Sequence, residues 1–163
     1  MTTLQNIPNA TSAWEKSCYY KINFKINEKS TVYEAVQKFS AYNIGCLAVT
    51  NDKDKIIGLI SERDYINKIA LLGRSSKSTQ VSEICTFEPN ISTAYSDDNI
   101  HICMNKMLMK NVRHLLVLDK KTNEVIGLMS VKDLIKEVLE EKDDLIKKLG
   151  DFKVGKGGYF EHV

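Results

Sequence analysis

The chain repeats itself, and that repeat limits the folds open to it more than any other property of the sequence. Val32 pairs with Ile100, Ala35 with Cys103, Val36 with Met104, Phe39 with Met107 and Asn43 with Asn111, every pair 68 positions apart. In both copies the apolar positions fall at i, i+3, i+4 and i+7, the stripe of an amphipathic helix about three turns long. Thr31 and Glu34 read as a capping box opening the first of these helices. A β-rich run follows each, CLAVT (46–50) or HLLVL (114–118), then a polar turn, NDKDK or DKKTNE, and a second run, IIGLI or VIGLM. The second turn is one residue longer. The spacing therefore becomes 69, and at that spacing GLISERD (58–64) meets GLMSVKD (127–133), aligning Ser61 with Ser130 and Asp64 with Asp133. A second helix is expected after each motif, carrying Ile66, Ile69 and Ala70 in one copy and Leu134, Ile135, Val138 and Leu139 in the other.

With leading strands near YYKINFKI and NIST, each copy reads strand, helix, strand, strand, helix. A unit of about 60 residues buries little apolar surface alone. The expected fold is therefore α/β (α+β), two pseudo-twofold β-α-β-β-α repeats packed sheet to sheet, with a cleft between them. The boundaries read as an N-terminal segment over 1–18, a first repeat with its linker over 19–80, a second repeat over 81–142, and a helix end with a glycine-rich tail over 143–163. Between the repeats LGRSSKSTQ (72–80) is small, polar and basic, a linker or a functional loop. Its serines are also open to reading as phosphorylation targets. The last helix is expected over 131–149, with Gly150 as its stop.

Two readings of the repeated Ser-x-x-Asp stand side by side. It is a capping-box variant, the serine accepting a backbone N–H and the acid lying at the positive end of the helix. It is also the pattern expected where a strand ends at a helix N-terminus in a cleft, with free N–H groups for an anion and a carboxylate to accept ribose hydroxyls. A cap alone requires neither the preceding glycine nor the same apolar strand in front of it.

The glycine, two apolar residues, serine and later aspartate, preceded by a helix and hairpin and present twice, resemble a tandem pair of cystathionine-β-synthase (CBS) domains, the Bateman module. The likeness covers roughly residues 19–142. SERDYINKIALLGRSSKSTQVSEICT and NVRHLLVLD are similar to stand-alone CBS-pair proteins of bacteria, mitochondria and plants, and the GGY near the end matches their usual C-terminus. The chain departs from the family in carrying Leu116 and Ala48 where a proline is common, and a cysteine in EICT where methionine is usual. The resemblance implies a non-catalytic regulatory module that binds an adenine nucleotide (AMP above all, otherwise ADP, ATP or NAD, sometimes S-adenosylmethionine) between the repeats and senses energy or redox state. By that resemblance Asp64 and Asp133 hold ribose hydroxyls, and Ser61 and Ser130 face ribose or phosphate. The second copy has Arg113 and His114 where the first has Gly45 and Cys46, so unequal sites are expected. The stronger one would use Arg113 and His114 across from Asp64, with phosphate support from Arg63 or from Arg74, Ser75, Ser76 and Lys77. His114 is equally readable as a satisfied strand histidine. The family also implies a homodimer formed through helices, and its plant members point to the thioredoxin system as a protein target. An interaction scaffold with vestigial nucleotide sites is the alternative.

Other classes find little support. Net charge is +2, with 23 basic residues spread among 21 acidic ones, and this is no footprint of a nucleic-acid binder. No apolar run approaches the roughly 18 residues of a membrane span. Cys18, Cys46, Cys85 and Cys103 lie far apart without a Cys-x-x-Cys pair, which favours reduced thiols and a cytoplasmic setting. A mitochondrial or plastid address fits equally if a transit peptide has been removed. His101 and Cys103, two apart on a helix, diverge and make no metal pair, and Met104, Met107 and Met109 read as the apolar stripe of a helix. No serine or cysteine has a base arranged beside it, and GKGG in the tail lacks the flanking strand and helix of a phosphate loop. No metal and no catalysis are expected.

Overall fold

The computed structural model describes residues 7–153. The chain begins with a short helix, α1 (Ala10–Glu15), and a 3₁₀ turn (Cys18–Lys21). The first repeat follows as β1 (Lys25–Asn27), α2 (Val32–Tyr42), β2 (Cys46–Thr50), β3 (Ile56–Ser61) and α3 (Glu62–Tyr65), which runs into a π-helical turn (Ile66–Ala70). After the linker come β4 (Thr86–Phe87), β5 (Thr93–Tyr95), α4 (Ile100–Lys110), β6 (His114–Leu118), β7 (Val125–Ser130) and α5 (Val131–Lys153). The strands form two sheets, β1-β2-β3-β4 and β5-β6-β7. Buried residues of both, Leu47, Ile60, Leu115, Leu116 and Met129 among them, join in one continuous core.

The repeat survives at the level of single backbone bonds. α2 opens on the capping box of Thr31 and Glu34, α4 on Asn99, whose side chain accepts from the Ile102 N–H. Both helices end on an asparagine in the left-handed region, Asn43 (φ 53°) and Asn111 (φ 51°), a conformation that asparagine tolerates better than most residues. The hairpin turns repeat this at Asp54 and Asn123, φ 59° and 60°. The registers match too: Cys46 lies opposite Ser61, and His114 opposite Ser130. Of the three methionines expected on the α4 stripe, Met107 is buried and Met104 packs against the core, but Met109 is 89% exposed.

Three elements differ from expectation. The segment 18–21 is a 3₁₀ turn and not the start of a strand, because Ser17 caps it by accepting from the Tyr19 N–H and Tyr19 turns into the interior. The helix after the first motif is only one α turn and one π turn, ending at Ala70, and the turn that follows it holds Gly73 at φ 65°. The last helix does not stop at Gly150 but passes through it to Lys153. A Cβ at Gly150 would meet nothing, so this glycine carries only its intrinsic helix penalty of about 1 kcal/mol relative to alanine. The tail expected to be coreless lies beyond the described residues.

The segments ahead of the two repeats are exchanged. The Pro8 carbonyl accepts from Ile100 N–H and the Thr79 carbonyl from Val32 N–H, so each leader caps the first helix of the other repeat. The 3₁₀ turn Val81–Glu83 then bonds to the Glu28–Ser30 turn and β4 lies on β3, while α1 lies on β7, where Trp14 covers Gly127. Both motif glycines are there for these neighbours. A Cβ on Gly58 would come within 2.6 Å of the Thr86 carbonyl oxygen, and one on Gly127 within 2.4 Å of the Trp14 ring, closer than real side chains approach.

Candidate functional site

Both Ser-x-x-Asp motifs form full capping boxes. Ser61 Oγ accepts from the Asp64 N–H at 3.3 Å, while Asp64 Oδ2 accepts from the Ser61 N–H at 2.9 Å and from its hydroxyl at 3.1 Å. Ser130 and Asp133 repeat the arrangement at 3.4, 2.8 and 3.1 Å. One carboxylate oxygen of each aspartate is thus committed to its own helix. The two motifs differ in their surroundings.

Around Asp64 lies a cavity of about 470 Å³ between the repeats. Ser61, Glu62, Arg63, Asp64 and Ile66 border it from the first repeat, and Thr86 and Asn90–Ser92 from the segment leading into β5. Val112, Arg113 and His114 close the far side, and Leu59, Gly45 and Cys46 complete it. The other oxygen of Asp64, Oδ1, accepts from Lys68 Nζ at 3.1 Å, and the same ammonium donates to the Ile84 carbonyl at 2.7 Å. Arg63 Nη1 reaches the Asn111 carbonyl at 3.3 Å and so ties the motif of one repeat to the helix end of the other. The cavity is roughly half apolar wall, from Leu59, Ile66, Ile91 and Val112, with charged groups at one side. A volume in the roughly 300–1,000 Å³ range with a few convergent polar groups is what small-molecule sites have.

His114 is half-buried at the back of this cavity. Burial pushes its pKa down to about 4; the negative charge of Asp133 works against that shift, and Arg113 adds to it. The imidazole is therefore neutral at pH 7. Tyr19 Oη lies 3.3 Å from His114 Nε2, and its ring stands edge-on to the imidazole with centroids 6.0 Å apart. Burial holds the Tyr19 hydroxyl protonated, its pKa far above the ordinary tyrosine value. The phenol and Nε2 are within hydrogen-bond reach, and the imidazole tautomer sets which of them donates.

Of the residues singled out in the sequence, Ser61, Arg63, Asp64, Arg113 and His114 come together here. Ser130 and Asp133 sit at the equivalent place in the other repeat, and Asp133 is only 6% exposed. Arg74, Ser75, Ser76 and Lys77 do not join either group. Arg74 pairs with Glu83 at 2.9 Å, and Lys77 lies over the Tyr33 ring at 4.9 Å. The Ser76 carbonyl accepts from the Tyr33 N–H, and the Ser75 carbonyl from the Thr79 hydroxyl. This loop folds onto the N-terminus of α2, whose orphan N–H groups need acceptors, and that draws its cations away from the cavity. Sequence reasoning passed over Glu62, Lys68, Thr86 and Asn90–Ser92. Only Lys68 carried a readable signal, as the i+4 partner of Asp64.

The CBS domain profile matches residues 22–71 and 81–140, and the chain belongs to the CBS domain family. Among curated proteins it is 34% identical over 131 residues to the CBS domain-containing protein CBSX3, mitochondrial, of Arabidopsis thaliana, covering 79% of this chain and 62% of that one. It thus spans about three fifths of that relative's length. A putative signal-transduction protein with CBS domains from Burkholderia ambifaria superposes with a TM-score of 0.73 at 32% identity, over 81% of this chain and 94% of the other. The CBS domain protein PAE2072 from Pyrobaculum aerophilum, complexed with AMP, shares the fold at a TM-score of 0.65 and 19% identity, over 77% and 88% of the two chains. No helix among the described residues is long and apolar enough to cross a membrane.

Proposed function

We propose that the chain is a non-catalytic regulatory module that binds AMP in the cavity at Asp64. The observation that carries this reading is the convergence of Asp64, two arginines and an apolar wall on one cavity between the repeats. Adenine fits between Ile91, Val112 and Ile66, while Asp64 Oδ1, with Lys68 beside it, accepts the ribose hydroxyls. Arg63 and Arg113 take the phosphate. Charge favours one phosphate group: the lining cations are these two arginines, offset by Glu62 and Asp64, and His114 adds no charge at pH 7. ADP and ATP would bring further anionic groups, and among the described residues the lining offers no cation beyond these two arginines to meet them. The AMP bound by the P. aerophilum protein of the same fold supports the choice.

Ligand binding alters such a module only through unequal affinity for two arrangements of the repeats. The Arg63 to Asn111 contact bridges the repeats at the cavity, and a phosphate competing for Arg63 would release it. A homodimer completes the reading. Ile135, Leu139, Ile146 and Leu149 are exposed on α5 at alternating spacings of four and three, with Lys142 filling the gap, the pattern of a helix seam. The test is a thermal-shift panel of AMP, ADP, ATP, NAD and S-adenosylmethionine on the native chain and on Asp64→Asn. At a hundredfold its dissociation constant AMP adds about 2.7 kcal/mol of stability, and the shift disappears in the variant. A panel with no shift leaves both motifs as helix caps and the protein as an interaction scaffold.

A further inference from the structure

The repeat that builds the open cavity builds a counterpart, and the chain fills it. At the same offsets Asp64 and Ser61 become Asp133 and Ser130, and Val112, Arg113 and His114 become Ile44, Gly45 and Cys46. Between these two groups stands the turn Cys18–Lys21 with the residue before it. Ser17, 2% exposed, donates its hydroxyl to Asp133 Oδ2 at 2.7 Å. Tyr19, also 2% exposed, lies against the backbone of Gly45 and Cys46. A hydroxyl on the aspartate and a flat ring against the opposite strand are what a nucleoside would present. Ile44, Cys46 and Asp133 are all buried beneath them.

The segment that fills the cleft is clamped onto the same repeat. Thr11 donates its hydroxyl to the Ser96 carbonyl at 2.7 Å, and Trp14 seats on Gly127. Lys16 pairs with Glu137 at 3.0 Å and with Glu140 at 2.9 Å, and Glu137 is otherwise buried. Among the described residues no such plug stands in the open cavity: at the 68-residue offset Tyr19 falls on Phe87, which is held in the edge strand β4 and is 40% exposed instead of turned inward.

We propose that the second nucleotide cleft is occupied by the chain's own Ser17 and Tyr19. Each chain then takes a single nucleotide, at Asp64, and the second site opens to a nucleoside phosphate only when these side chains are withdrawn. The proposal rests on the reading of the Asp64 cavity as a nucleotide site. Isothermal titration of the full chain with AMP tests it, on the native protein and on a Ser17→Gly, Tyr19→Ala variant whose fold is checked by circular dichroism. The expected result is one AMP per native chain and two per variant chain, the added event disappearing when Asp133→Asn is introduced. Two AMP per native chain overturn the proposal without any variant, and so does one AMP per chain in the folded variant. If the native chain binds none but the variant binds one, the plug stands and the Asp64 assignment falls. If neither binds AMP, both fall.

Discussion

His114 gives the protein a stability that falls on mild acidification. Its folded pKa of about 4 lies below the ordinary 6.5 because burial disfavours the imidazolium, with Arg113 adding to the effect and Asp133 opposing it. The unfolded chain binds the proton first, so the folded state is fully favoured above pH 6.5 and loses ground as pH falls from 6.5 towards 4. Over the whole window the loss is about 3 kcal/mol at 1.36 kcal/mol per pKa unit, and about 2 kcal/mol of it is gone by pH 5. Asp52, Asp98 and Asp119 are held below the usual carboxylate range and stay ionised through the upper part of the window. The perturbation is His114→Gln, which keeps a polar group near Tyr19 but cannot titrate. Urea midpoints measured between pH 7.5 and 4.5 should show the native protein declining more steeply, by about 2 kcal/mol at pH 5. Parallel curves for the two proteins would refute the burial of a neutral imidazole.

Gly127→Ala forces its methyl into the Trp14 ring, and overpacking of this kind costs about 1–3 kcal/mol. Because Trp14 is the sole tryptophan, its emission should move to the red; unchanged emission and melting would show that α1 does not dock there. Gly58→Ala meets a backbone carbonyl that cannot turn aside, and amide exchange should accelerate at Thr86 and Phe87, where an unaltered rate would contradict the close approach. Leu139→Glu with Ile146→Glu should convert a dimer to monomers by light scattering. A native chain already monomeric at high concentration removes α5 as the seam.

Much of the fold was legible because the repeat duplicates its punctuation. Asn43 and Asn111 align at the repeat spacing, and both prove to be left-handed helix ends, while Thr31 with Glu34 announced the cap that α2 carries. What could not be read is everything the two copies do not share. The exchange of leaders depends on which sheet edge each segment meets, a long-range contact that no local periodicity records. The same holds for the loop 74–77: its basic and hydroxyl residues suit a phosphate, but the unsatisfied N–H groups of α2 claim its backbone and turn its side chains elsewhere.

The motif glycine shows how a correct pattern can carry the wrong inference. A preceding glycine seemed to ask for more than a helix cap, and it does, but what it accommodates is a neighbour: the Thr86 carbonyl in one repeat and the Trp14 ring in the other. That is also where the symmetry breaks. A strand lies against Gly58 and leaves the space beyond it open, whereas a helix lies against Gly127 and delivers Ser17 and Tyr19 into the matching space. Two copies of one motif, nearly identical in their own hydrogen bonds, are thus divided into an open cavity and a filled one by segments outside the repeat. Tyr19 then joins the two, since its hydroxyl ends on the imidazole that forms the back wall of the open cavity.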